Sequence, residues 1–168
     1  MAGDDEEAVM PDLFEEDAPA PLADREWSRV TLPNDIYVEI EARLLAVWAS
    51  AHYVTRWLCE HPLAVRTKTV CELGCGAGLP SLACARLGAA SVLGTDYDES
   101  AIAALERAAA WNGIDKYVST RTLDWFAALE PDHNLPTFDL LIAADCIYYA
   151  RAAPALACSR PRGAPRGP

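Results

Sequence analysis

A glycine-rich stretch has the residue types and spacing that most clearly predict binding chemistry. It reads Gly74-Cys75-Gly76-Ala77-Gly78; an apolar segment that contains Glu72 precedes it, and Leu79-Pro80 follows it. A strand that ends in glycines and opens a helix allows a ligand to approach the backbone, and the helix N–H groups then point at that ligand. A second acid, Asp96, ends the next apolar segment, where a carboxylate faces the ligand crevice of a parallel sheet. The stretch therefore predicts a cofactor-binding turn.

The glycine spacing distinguishes two kinds of cofactor. A dinucleotide fingerprint is G-x-G-x-x-G and requires glycine at position 79, which is Leu79 in this chain. The observed pattern is G-x-G-x-G instead. A dehydrogenase is therefore a minor alternative, and NADH binding in a fluorescence titration would revive it.

Apolar segments of strand length alternate with helical segments along the middle of the chain. Residues 36–43 alternate apolar and polar side chains, which is typical of a half-buried strand. Further strands are predicted over 69–73, 91–95, 117–123 and 138–144, and helices over 49–60, 80–87 and 99–111. Strands separated by helices indicate βαβ units with right-handed crossovers. We therefore predict an α/β fold with a Rossmann-like parallel sheet and flanking helices.

Charge is distributed unevenly over the 168 residues, whose net charge is −11. Residues 1–26 carry ten acidic side chains and one basic side chain, which predicts a disordered tail. A partner-docking segment around Leu13-Phe14 is the alternative for this region. Residues 27–149 form the predicted domain. Residues 150–168 contain four prolines and four arginines without a helix or strand period, which predicts a second disordered tail.

Composition argues against several kinds of protein and partner. No apolar run approaches the roughly 20 residues of a membrane helix, so we predict no membrane association. The mildly acidic middle of the chain argues against a nucleic-acid partner. The six cysteines have no paired C-x-x-C spacing, and with three scattered histidines they predict buried free thiols and no metal. The expected location is the cytoplasm, with the nucleus as an alternative.

Four motifs together resemble a known family. Glu72, the glycine stretch and Asp96 are similar to the first motif of class I (seven-β-strand) S-adenosylmethionine-dependent methyltransferases. Val47-Trp48-Ala49-Ser50-Ala51, Asp124-Trp125 and Asp145-Cys146-Ile147-Tyr148 resemble motifs of the methyltransferase-like protein lysine methyltransferases (family 16 type), with Ala49 in place of the usual proline. The resemblance covers about residues 36–149. It implies a sheet whose C-terminal strands are missing here, so we expect a chain truncated relative to the family.

The resemblance implies a role for each residue that matches a motif. It implies S-adenosylmethionine as the cofactor and a lysine amine of a protein as the acceptor. Asp145 would orient the acceptor ammonium, and Tyr148 would line the acceptor channel. The cofactor-binding residues that it implies are Trp48, Glu72, Gly74, Cys75, Gly76, Asp96, Asp124, Trp125 and Ala144.

Several alternatives stay open at the level of the sequence. A small-molecule N-methyltransferase acting on a small amine, or an inactive isoform that binds only cofactor or partner, would share these motifs. Trp48 could be a core residue, and Glu72 could order the glycine loop without touching the ligand. Asp124 could cap a turn, Asp145 could cap a helix, and Tyr148 could lie in exposed coil.

Overall fold

The computed structural model describes residues 27–41, 47–124 and 136–146. It contains six strands and three α-helices in these residues, and the predicted strands and helices are confirmed there, with ends that shift by no more than two residues; the predicted end at 42–43 lies outside the described residues. The strands are β1 (Trp27–Thr31), β2 (Tyr37–Glu41), β3 (Thr69–Leu73), β4 (Ser91–Asp96), β5 (Val118–Thr122) and β6 (Leu140–Ala143). The helices are α1 (Ala49–Glu60), α2 (Leu79–Arg86) and α3 (Glu99–Trp111).

Four strands form the parallel sheet that the alternation of strands and helices along the sequence predicts. Their order is β5-β4-β3-β6, so the two central strands are β3 and β4. In the register of the sheet, Glu72 of β3 lies opposite Gly94 of β4 and Ile142 of β6. The glycine stretch after β3 and the acid that ends β4 therefore meet at the carboxyl edge of the sheet, where open α/β sheets bind ligands.

The first two strands form a separate antiparallel hairpin, and β1 is an element that the sequence did not predict. The predicted strand at 36–43 is β2 in the described residues, with Val38 and Ile40 buried as the alternation indicates. It pairs with β1 and not with the parallel sheet. Asn112, at the end of α3, fixes the hairpin because its side chain accepts from the Glu39 N–H at 3.0 Å and donates to the Glu39 carbonyl at 2.7 Å.

The hydrophobic core is divided between the two faces of the sheet. Val70 and Val92 belong to a large cluster with side chains of all three helices, whereas Cys71 and Leu73 face a smaller cluster. Alternate residues of a strand point to opposite faces, which explains this division. The five cysteines within the described residues are buried free thiols, as predicted; Cys158 lies outside those residues. No helix in the described ranges is long and apolar enough to cross a membrane.

Leu105 of α3 occupies space that two glycines leave open. The side chain is fully buried. A Cβ placed on Gly78 would lie 2.5 Å from Leu105 Cδ1, and a Cβ placed on Gly94 would overlap Leu105 Cδ2. Because both positions are glycine, α3 can pack closely against the glycine loop and against β4.

We expect Gly94→Ala to lower the free energy of unfolding by about 1–3 kcal/mol, because the added methyl group overpacks the contact with Leu105. Urea unfolding followed by circular dichroism measures the change. In a Leu105→Ala background the added methyl group has room, so the same substitution should cost less than about 1 kcal/mol there. An equal cost in both backgrounds would contradict the assignment of the penalty to Leu105.

Candidate cofactor-binding cleft

A cleft lies between the start of α1, the glycine stretch and the end of β6. Its lining consists of Val47, Trp48, Ala51, Glu72, Gly74, Cys75, Gly76, Ala77, Gly78, Leu79 and Ala144. These residues are far apart in the sequence, and the parallel sheet brings their elements together at one edge. Because α2 begins at Leu79, its N-terminus borders the cleft, and Trp48 at the N-cap of α1 borders the opposite side.

The glycine stretch forms a tight loop whose backbone needs glycine. Gly74, Gly76 and Gly78 have φ angles of 66°, 48° and 76°, in the left-handed region that side chains with a Cβ rarely adopt. Hydrogen bonds fix the loop at both ends: the Cys75 N–H donates to the Thr95 carbonyl at 2.9 Å, and the Gly78 N–H donates to the Cys75 carbonyl at 2.7 Å. A Cβ placed on Gly76 would meet no atom within 4 Å, so the backbone is open at this point.

Glu72 connects the end of β3 to the first turn of α2. Its Oε2 accepts from the Ser81 backbone N–H at 2.9 Å and from the Ser81 hydroxyl through a short hydrogen bond. The side chain is 1% exposed and lines the cleft. Burial raises the pKa of Glu72 from 4.5 to about 8, even though both hydrogen bonds from Ser81 lower it; the charge of Asp96 adds to the increase.

Asp96 holds the other side of the glycine loop. Its Oδ2 accepts from the Gly76 N–H at 2.9 Å, and its Oδ1 accepts from the Asp98 N–H at 3.0 Å. The carboxylate is 7% exposed. Each carboxylate oxygen can accept a second hydrogen bond, so Asp96 retains acceptor capacity while it orders the loop.

The structure brings together six of the predicted cofactor-binding residues in the cleft lining: Trp48, Glu72, Gly74, Cys75, Gly76 and Ala144. Trp48 is 58% exposed, so it is a rim residue and not a core residue. Asp96 contacts the glycine loop but does not belong to the cleft lining. Asp124 and Asp145 also lie outside the lining, and both are exposed. Asp145 has a φ of 57°, an uncommon value for a residue with a Cβ. Trp125 and Tyr148 lie outside the described residues.

Seven residues of the site are not among the predicted cofactor-binding residues: Val47, Ala51, Ala77, Gly78 and Leu79 of the lining, and Ser81 and Thr95 beside Glu72. Ser81 supplies both hydrogen bonds to Glu72. Thr95 is fully buried, and its hydroxyl donates to the Glu72 carbonyl at 2.8 Å. Ala51 lines the cleft from the first turn of α1. A serine early in a helix that follows a glycine loop is the one available signal, because such a position can donate to an acid at the end of the preceding strand.

The sheet order, the glycine loop and the acid at the end of β4 define a Rossmann-like α/β protein with a small-molecule cleft at its carboxyl edge. A solved structure of a ribosomal protein L11 methylase from Lactobacillus delbrueckii subsp. bulgaricus has a similar fold. It superposes with a TM-score of 0.52 and 29% sequence identity over 62% of this chain and 50% of that chain. The fold is therefore that of the class I methyltransferases.

The chain belongs to the lysine methyltransferase family, whose sequence profile matches residues 39–159. It is 39% identical over 83 residues to the protein N-terminal and lysine N-methyltransferase efm7 of Schizosaccharomyces pombe. The aligned region covers 45% of this chain and 32% of that protein. It is 34% identical over 96 residues to the ribosomal protein L11 methyltransferase of Vibrio cholerae. That aligned region covers 55% of this chain and 32% of the relative. The chain thus spans about a third of the length of the curated relatives it matches.

We expect the buried Glu72 to make the ligand-free protein less stable as the pH rises. The folded pKa of about 8 lies above the unfolded value of 4.5, so the unfolded chain loses this proton first. The contribution of Glu72 to the free energy of unfolding is complete below pH 4.5. Between pH 4.5 and pH 8 it falls by up to about 1.4 kcal/mol per pH unit.

Urea unfolding of the wild type and of Glu72→Gln between pH 5 and pH 8 measures this effect. The difference between the two proteins removes the titration of all other groups. The exposed Asp115→Asn serves as a matched control and should reproduce the wild-type slope. A pH slope that Glu72→Gln leaves unchanged would contradict the assignment.

Proposed function

We propose that the glycine-loop cleft binds S-adenosylmethionine and that the protein transfers its methyl group to a lysine amine of a protein substrate. The observation that carries this proposal is a left-handed glycine loop held between two buried acids, Glu72 and Asp96. No lysine, arginine or histidine of the described ranges forms an ion pair with either acid. A ligand that brings hydroxyl donors and positive charge suits this arrangement.

The residues present fit this cofactor. The open backbone at Gly76 allows close approach, and the acceptor oxygens of Asp96 suit the two hydroxyl groups of a ribose. Ser50 Oγ is buried at the start of α1 and has no hydrogen-bond partner among the residues that the structure describes, and its neighbour Ala51 lines the cleft. Trp48 and Ala144 supply apolar walls at the rim. When bound, this cofactor supplies an activated methyl group on a sulfonium.

The contribution of the protein is to position an amine and to make it neutral. A lysine amine with a pKa near 10.4 must lose its proton near pH 7, which costs about 4–5 kcal/mol. Asp145, an exposed residue two positions after the end of β6, is the proposed binder of the ammonium form. A carboxylate raises the pKa of a neighbouring ammonium, so Asp145 orients the acceptor and does not act as a strong base. Tyr148 is the proposed wall of the acceptor channel.

The family and the relatives support a protein acceptor. The matching profile is that of lysine methyltransferases, and the relatives named above are described as acting on proteins. Because the chain spans about a third of those relatives, the acceptor side of the reaction is proposed for the whole protein. An incorporation assay with radiolabelled methyl donor and lysine-containing protein fractions tests it, with nicotinamide-type amines as the competing acceptors.

Calorimetric titration of the 168-residue chain with S-adenosylhomocysteine tests the cofactor. We expect binding, and about tenfold weaker binding for Asp96→Asn because that variant loses a charge-assisted acceptor for the ribose. The exposed Asp115→Asn should bind like the wild type. Binding of NADH in place of S-adenosylhomocysteine by a folded chain would overturn the proposal.

A further inference from the structure

The two oxygens of the Glu72 carboxyl group have different surroundings. Oε2 accepts both hydrogen bonds from Ser81, whereas Oε1 has no hydrogen-bond partner among the described residues. The side chain lines the cleft although it is only 1% exposed. The fold therefore uses one oxygen of this lining residue, and the other has no partner among the described residues.

The groups that face Glu72 from the surrounding elements do not supply a positive side chain. Asp96 of β4 is close enough to raise the pKa of Glu72. Burial raises the pKa of four thiols around Glu72, and the charge of an ionised Glu72 adds to the increase; they lie on β3, in the glycine loop, on α2 and after β6: Cys71, Cys75, Cys84 and Cys146. Asp145 follows β6 and acts on Cys146 in the same direction. The partial positive charge at the α2 N-terminus is the favourable contribution to the ionised form.

Three ion pairs of the described ranges lie away from Glu72. They join Arg29 to Glu39, Arg56 to Glu60 and Arg107 to Glu41, on the hairpin or on exposed helix faces. A buried carboxyl group without a cation favours its neutral form, because an unpaired charge in an apolar surrounding is costly. The fold thus leaves the charge of Glu72 to be decided by what occupies the cleft.

We infer that Glu72 carries a proton in the free protein and releases it to solvent when a cationic ligand enters the cleft. The inference rests on the proposed function, since the cofactor proposed above carries a sulfonium and an ammonium group. The O–H bond of the carboxyl group breaks, the proton leaves to the buffer, and the carboxylate then faces the positive charge of the ligand. A neutral ligand of similar shape leaves the proton in place.

This coupling makes Glu72 a specificity-determining residue. Binding of a cationic ligand becomes tighter as the pH rises, by up to about tenfold per pH unit while Glu72 is protonated. Binding of a neutral ligand does not change over the same range. The two ligands that separate these cases are S-adenosylmethionine and 5′-methylthioadenosine. The second shares the adenosine and the S-methyl group, but it has a neutral thioether in place of the sulfonium and lacks the charged amino-acid part.

Calorimetric titration at pH 6.5 in phosphate and in imidazole buffer counts the protons released, because the two buffers differ in ionisation enthalpy. We expect about one proton per S-adenosylmethionine bound and none with 5′-methylthioadenosine. Affinity for S-adenosylmethionine should rise about tenfold between pH 6 and pH 7, below the range where an α-amino group titrates. Glu72→Gln should bind without proton release and without this pH dependence, and Asp115→Asn should behave like the wild type.

The outcomes separate this inference from the proposed function. Binding of S-adenosylmethionine without buffer-dependent heat would overturn the proton release and leave the cofactor assignment standing. A folded chain that binds neither ligand at any pH would overturn the cofactor assignment and the inference with it. Should Glu72→Gln fail to fold, the comparison of the two buffers and the two ligands on the wild type decides the question by itself.

Discussion

The hydrogen bonds between Glu72 and Ser81 are the interaction on which the site depends. They join the end of β3 to the first turn of α2, so that the glycine loop between them is closed at its base. The helix dipole favours the ionised form of a carboxyl group near a helix N-terminus, but burial opposes this ionisation. The loop is therefore held by an acid whose charge the fold does not fully compensate, and the selectivity that we infer for the cleft rests on this property.

A second constraint comes from α3. Leu105 lies beneath both Gly78 and Gly94, and neither position has room for a side chain. Gly94 is also the register partner of Glu72 across β3 and β4. The packing of one leucine thus determines how close α3 approaches the sheet below the cleft. Asp96 completes the arrangement, because it connects the end of β4 to the Gly76 N–H.

The part of the fold that the sequence predicted well is the segment from β3 to α3. Its strands are short apolar runs bounded by glycine and acid, and α3 is an alanine-rich segment whose bounds, Glu99–Trp111, are those predicted. The strand β1 was missed because its sequence has no regular alternation. Its conformation depends on pairing with β2 and on the stacking of Trp27 against Trp111 at 4.8 Å, which are contacts between distant parts of the chain.

The sequence by itself determined the fold class, the position of the glycine loop and the identity of the acids beside it, because strand and helix periods and glycine spacing are local properties. Only the tertiary structure decided what those acids do. It showed that Glu72 is buried against Ser81 with no ion pair to a basic side chain of the described residues, that Asp96 holds the loop, and that Trp48 lies on the rim. Burial and charge at a site depend on residues that are far apart in the chain. They are decided only when the parallel sheet brings those residues together.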